Sequence, residues 1–164
     1  MTKVLGIDPG TAACGFGLVQ QDGNRLRALG YGTWTTRAGD PPAIRLKTIF
    51  EAVVALIIEH RPAAVAIEES FVGADARIAL SVGQARGAVM VASAAHAVPC
   101  TEYAPARVKQ AVCGYGRAEK AQVQRMVQSI LRLEQRPAPD HASDALAVAI
   151  CHALAPPLLR AVAG

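Results

Sequence analysis

Four residues in this sequence have types and spacings suited to one shared piece of chemistry: Asp8, Glu68, His141 and Asp144. Asp8 closes the apolar run Val4 to Ile7, just before Pro9-Gly10, and Glu68 lies near the end of a second run that starts at Val65. His141 and Asp144 stand three apart in a helical pattern and so share one helix face. Carboxylates brought together repel one another and are costly unless a cation lies between them. A pair of divalent ions about 3.5–4 Å apart meets that need and suits in-line displacement at a phosphodiester. Oxygen donors favour Mg²⁺ or Mn²⁺, and one imidazole tilts the choice toward Mn²⁺. Each residue also has a plainer reading. Asp8 before Pro-Gly is a natural turn residue, Glu68 an edge-strand carboxylate in water, and His141 and Asp144 suit the start of a helix. It is their combination on one fold that points to a metal site.

The elements that must position these residues follow from hydrophobic periodicity. Val4 to Ile7 reads as a buried strand. Cys14 to Gln20 is a second strand, and Asp22-Gly23-Asn24 turns into a third, Arg25 to Thr36. Asp40-Pro41-Pro42 offers an N-cap and first-turn prolines for a helix to about His60, with Ile44, Ile49, Val53, Leu56 and Ile57 as its apolar face. Val65 to Glu69 is a fourth strand and Ala76 to His96 a long helix. Pro99 to Tyr103 is a fifth strand, followed by helices from Pro105 to about Gly114, Ala118 to Leu133 and Asp140 to Leu154. Asp140 reads as the N-cap of the last helix. Strands four and five need helical crossovers, so they should run parallel in one mixed sheet with the antiparallel meander. That order resembles the ribonuclease H-like fold, an α/β arrangement of five strands flanked by helices. It places Asp8 and Glu68 at the carboxyl ends of central strands, where ligands gather.

The 164 residues suit a single domain, 1–164, with one sizeable core, and no repeat or composition break marks a linker. A hydrophobic fraction of 52% against 18% charged excludes a disordered chain. The four cysteines, Cys14, Cys100, Cys113 and Cys151, are far apart and without a Cys-x-x-Cys pair, which fits apolar filling in a reduced cytoplasmic protein. The uncharged apolar stretch Gly87 to Ala95 is well short of the roughly 20 residues that span a bilayer, so no membrane association is expected. The net charge of +4 is modest, but between Tyr103 and Leu133 six bases face one acid, Glu119. These are Arg107, Lys109, Arg117, Lys120, Arg125 and Arg132. Such a stretch suits either a solvated helix face or a polyanionic partner.

Several blocks together give a specific resemblance. Gly6-Ile7-Asp8-Pro9-Gly10-Thr11, Ala66-Ile67-Glu68-Glu69-Ser70-Phe71, Gly83-Gln84-Ala85-Arg86-Gly87, Val108-Lys109-Gln110, Ala118-Glu119-Lys120 and Asp144-Ala145-Leu146-Ala147 resemble the RuvC-type Holliday junction resolvases, in the same order from Lys3 to His152. The resemblance implies a homodimeric, metal-dependent endonuclease of recombination and DNA repair. Such an enzyme nicks opposed strands of a four-way DNA junction and leaves 5′-phosphates. It also implies two Mg²⁺ or Mn²⁺ ions per active site and a branch-migration complex of the RuvA–RuvB type as partner. Three of the family's four acids match at Asp8, Glu68 and Asp144, and at the fourth position this chain has His141 where the usual pattern has Asp. Imidazole can also ligate a divalent ion or relay a proton, so His141 is favoured over its neighbour Asp140. Lys109 and Lys120 match DNA-contacting positions, and Phe71 matches an aromatic that helps open base pairs beside the cut. Phe71 has an alternative role packing under the following helix. Arg77, Arg86, Arg117 and Arg125 are further candidates for DNA contact.

A junction with approximate two-fold symmetry calls for two matched sites, which a C2 dimer supplies. On the Ala76 to His96 helix, Ile78, Val82, Ala85, Val89 and Ala92 form one stripe and Ala79, Gly83 and Gly87 a second. One stripe can face the sheet and the other a partner subunit. Three rival readings carry different expectations. An actin-like ATPase would need a second domain. A ribonuclease H-like enzyme acting on structured RNA would share the acids but has less use for the lysine blocks and Phe71. A non-catalytic junction-binding protein would tolerate Asp8→Asn.

Overall fold

A computed structural model of the chain describes residues 1–69 and 75–156. Phe71 and residues 157–164 lie outside the described residues. Strand β1 (Thr2–Asp8) pairs antiparallel with β2 (Ala13–Asp22), from Thr2 opposite Gln21 to Asp8 opposite Gly15. Gly23, at a φ of 56° that a side chain would strain, turns β2 back into β3 (Arg25–Thr35). Helix α1 (Pro42–His60) then crosses over to β4 (Ala64–Glu68), which runs parallel to β1 with Ile7 opposite Ile67. Helix α2 (Ala76–Ala95) crosses to β5 (Cys100–Tyr103), parallel to β4. The sheet order is β3-β2-β1-β4-β5, the ribonuclease H-like arrangement expected from the element order. Helices α3 (Pro105–Cys113), α4 (Lys120–Leu131) and α5 (Asp140–Leu154) complete the chain.

Because side chains alternate along a strand, β1 feeds two cores. Leu5 and Ile7 join Leu18, Val65 and Ile67 beneath Ile49 and Val53 of α1 and Ala85 and Val89 of α2. On the other face Val4, Val19 and Ala66 pack with Leu146 and Ile150 of α5, with Val108 and Val112 of α3, and with Val123 and Val127 of α4. Helix α5 is buried almost all round, from Ala142 to Ala153, because it lies between the sheet and α3–α4.

Three local expectations change. Asp40 does not cap α1: Pro41 holds the N-cap position with no side-chain cap, and Asp40 is one residue too early. Asp140 does not cap α5 either, since Pro139 takes that position and Asp140 is already helical. Ile44 and Ile78 are exposed, at 49% and 62%; each lies in the first turn of its helix, ahead of the buried positions that begin at Ile49 and Ala85. By length and composition alone, α2 would also suffice to cross a membrane, although Arg77 and Arg86 interrupt its uncharged run. Arg86 is not a free cation, however, because it forms an ion pair with Glu102 of β5 that ties α2 to the sheet.

Candidate metal centre

Asp8 and Glu68 are the final residues of adjacent parallel strands, so their carboxylates leave the sheet at the same edge. Ile7 and Ile67 beside them are fully buried against α1 and α2. Alternation therefore turns both carboxylates toward the opposite face, where α5 lies. What lets α5 reach them is the absence of side chains beneath it. A Cβ on Gly15 would fall 2.0 Å from the His141 carbonyl oxygen, and one on Gly6 would fall 2.0 Å from that of Ala145. Any larger residue at either position would lift the first turns of α5 off the sheet, and His141 and Asp144 with them.

With α5 seated in this way, His141 Nδ1 lies 2.7 Å from Asp8 Oδ2. Asp144 and Glu68 line a hollow of about 210 Å³ together with Lys109 and Lys120. Lys120 Nζ stands 3.5 Å from Asp144 Oδ2 and 3.2 Å from Asp140 Oδ2. The four expected residues therefore come from β1, β4 and α5 to one end of the sheet, with both expected lysines beside them. Asp140 turns away instead, pairing with Lys120 and accepting a hydrogen bond from Gln124 Nε2 at 2.9 Å. Arg77 is exposed in the first turn of α2, and Arg117 and Arg125 are exposed before and along α4. Arg132 separates from the other bases of its stretch and lines a hollow at the far end of the molecule.

The electrostatics of the cluster are those of carboxylates short of positive charge. Burial, then repulsion from Asp144 and Asp8, pushes Glu68 up to about 7, with Lys109 and Lys120 pulling the other way. Burial also raises Asp144, reinforced by Asp8 and opposed by Lys120. It raises Asp8 as well, against the hydrogen bond and charge of His141. Burial works against the charge on Lys120, but Asp140 and Asp144 together outweigh it and raise its ammonium. The same lysine holds the exposed Asp140 below the ordinary carboxylate range. Among the described residues, no three His, Cys, Asp or Glu side chains already close into a cage. Asp8 is turned onto the His141 ring and Asp144 onto the Lys120 ammonium, so these two carboxylates take separate partners. Three desolvated carboxylates and an imidazole are a donor set that fits hard divalent cations, whose charge would relieve the repulsion.

Gly6 and Gly15 are the functional positions that reading the sequence for chemistry missed. The signal was there in alanines at 142, 145, 147 and 149 of the last helix, a surface smooth enough to lie on a glycine-bearing sheet.

Comparison with known proteins agrees with this geometry. Residues 4–152 match the family model of the crossover junction endodeoxyribonuclease RuvC. The crossover junction endodeoxyribonuclease RuvC of Heliobacterium modesticaldum is 55% identical over 148 residues, covering 90% of this chain and 91% of that one. The solved structure of Thermus thermophilus RuvC superposes with a TM-score of 0.87 at 40% identity, covering 93% of each chain. The T. thermophilus protein in complex with its Holliday junction substrate gives 0.89 at the same identity and coverage. A family match over nearly the whole chain, joined to carboxylates at the ends of β1 and β4 and on α5, identifies the chain as a member of the RuvC family of crossover junction endodeoxyribonucleases.

Proposed function

We propose that this chain resolves four-way DNA junctions by paired symmetric nicks, with Asp8, Glu68, His141 and Asp144 holding two divalent cations, Mg²⁺ or Mn²⁺, at each active site. The observation that carries this reading is the gathering of those four side chains from β1, β4 and α5 at one sheet edge, beside Lys109 and Lys120. When bound, the cations supply neutralising charge at the scissile phosphate and lower the pKa of the attacking water. The protein's own groups do the rest. Asp8 accepts the Nδ1 proton of His141 at 2.7 Å, which fixes the ring and leaves the Nε2 lone pair free to ligate. Glu68 and Asp144, repelling each other across the hollow, favour a doubly charged occupant over a proton. Lys120, now paired with Asp144 and Asp140, and Lys109 provide ammonium groups for backbone phosphates. Arg77, Arg117 and Arg125 extend the basic surface, and Phe71 would wedge the base step beside the cut.

We read residues 1–164 as one nuclease domain acting as a homodimer. Away from its sheet-facing residues, α2 exposes Leu80, Met90 and Val91, and a Cβ built on Gly83 or Gly87 meets nothing within 4 Å. That face suits close approach by a second copy, which would give a two-fold junction two matched sites. With Arg86 paired to Glu102 and Ala85, Val89 and Ala92 packed on the sheet, α2 is read as a docked helix of a cytoplasmic protein rather than a membrane span. The reading extends to recombination and DNA repair, alongside a branch-migration complex of the RuvA–RuvB type. The test is cleavage of a synthetic four-way junction with Mg²⁺ or Mn²⁺, with Asp8→Asn as control. Paired nicks that vanish in the variant support the assignment. Equal cleavage of an RNA hairpin would favour the ribonuclease reading instead.

A further inference from the structure

A second concave surface lies at the opposite end of the sheet. It holds about 670 Å³, within the roughly 300–1,000 Å³ typical of ligand sites. The start of β1, the β2–β3 turn and the C-terminal ends of α4 and α5 enclose it. Since β1 runs from Thr2 at this end to Asp8 at the carboxylates, about 20 Å separates the two surfaces at roughly 3.3 Å per residue.

The floor of this hollow is apolar, formed by Leu26, Ile130, Leu131 and the half-exposed Leu154. Its rim carries Arg25, Arg27 and Arg132 against one acid, Asp22. Among the described residues none of these four enters an ion pair. Arg27 donates to the Gln20 amide oxygen at 3.0 Å, which leaves its charge unneutralised. A basic rim over an apolar floor, with three guanidinium groups against one carboxylate, is an amphipathic receptor for a ligand of the opposite charge.

We propose that this hollow docks a short acidic peptide segment of a partner protein, with carboxylates on Arg25 and Arg132 and an apolar side chain on Leu26, Ile130 and Leu154. Guanidinium groups match carboxylates with paired hydrogen bonds. The apolar floor is of no use to a phosphate backbone but buries a leucine or phenylalanine well, and this favours peptide over nucleic acid. The chain's own residues 157–164 carry Arg160 and no acidic side chain, so like charge disfavours them as the occupant. A partner held here leaves the carboxylate end open to DNA, so the two surfaces can be filled together. The inference is independent of the catalytic reading, because its readout is binding.

The test is fluorescence anisotropy of the full chain with a short fluorescein-labelled peptide of alternating aspartate and phenylalanine. Saturable binding is expected, weakened about tenfold or more by Arg25→Glu combined with Arg132→Glu, and also weakened by Leu154→Asp. A peptide with lysine in place of aspartate should not bind, and circular dichroism should report native folding for each variant. Unchanged affinity in the double variant would overturn the proposal. So would a double variant that loses labelled junction DNA while the wild type ignores the peptide, which would assign the surface to nucleic acid. Peptide binding only after truncation at Pro156 would likewise overturn it, by making the chain's own C-terminus the occupant.

Discussion

Replacing Glu68 by glutamine should abolish cleavage and at the same time make the metal-free protein more stable. In the fold this carboxyl is held at about 7 against an ordinary 4.5. At about 1.4 kcal/mol per pH unit, that difference costs the charged native state roughly 3 kcal/mol. The hollow opens to solvent, which screens part of the penalty and leaves about 2 kcal/mol. The sign follows from linkage. Between the ordinary value and about 7 the folded state holds a proton that the unfolded chain has released, so stability falls as pH rises through this window and levels off above it. Glutamine is neutral throughout and escapes the penalty. For a chain of this size, about 2 kcal/mol corresponds to a rise in Tm of roughly 4–8 °C. Thermal denaturation followed by circular dichroism in a chelator should therefore show Glu68→Gln above wild type at about pH 8.5 and level with it near pH 4.5. Saturating Mg²⁺ should then raise the wild type more than the variant, reversing or closing the gap. A variant less stable than wild type at high pH without metal would refute the reasoning, because it would mean that Glu68 makes favourable contacts that outweigh its desolvation.

Three further outcomes follow from the geometry. His141→Ala should lose junction cleavage while Asp140→Ala keeps most of it, because His141 meets Asp8 and Asp140 meets Lys120 and Gln124; single-turnover cleavage rates in the reverse order would contradict that assignment. Gly15→Val should destabilise by about 1–3 kcal/mol or more in urea titration and impair metal binding beyond that loss, since the new side chain strikes the backbone of His141. Lys109→Ala should reduce the slope of log affinity for junction DNA against log salt by about one, as expected for one phosphate contact; an unchanged slope would leave that lysine as a purely electrostatic neighbour of Glu68.

Much of this architecture could be read from the chain because its signals are local. The run Val4 to Asp8 and the helix Asp140 to Leu154 carry their periodicity and their stops within a few residues, and both ends of the helix came out as expected. The candidate ligands were legible for the same reason, since strand ends and three-residue helical spacing fix the direction of a side chain. Cap positions were less legible. In Asp40-Pro41-Pro42 and Pro139-Asp140 the prolines set the helix start, and the aspartate beside them only looks like a cap. Arg86 was a candidate for DNA contact until β5 brought Glu102 to it, a pairing that no spacing in the sequence announces. The roles of Gly6 and Gly15 were hidden for a related reason, because a missing side chain gains meaning only from the helix that crosses it.

The most direct test of the account is calorimetric titration of Mn²⁺ into the wild-type protein and into Asp8→Asn, Glu68→Gln, His141→Ala and Asp144→Asn. The four side chains are held to act as one ligand set, so each substitution should weaken uptake of the metal by about tenfold or more, an effect on the order of 1.4 kcal/mol. If the four variants took up Mn²⁺ as tightly as the wild type, the cations would have to bind elsewhere, and the convergence of β1, β4 and α5 would lose the role given to it.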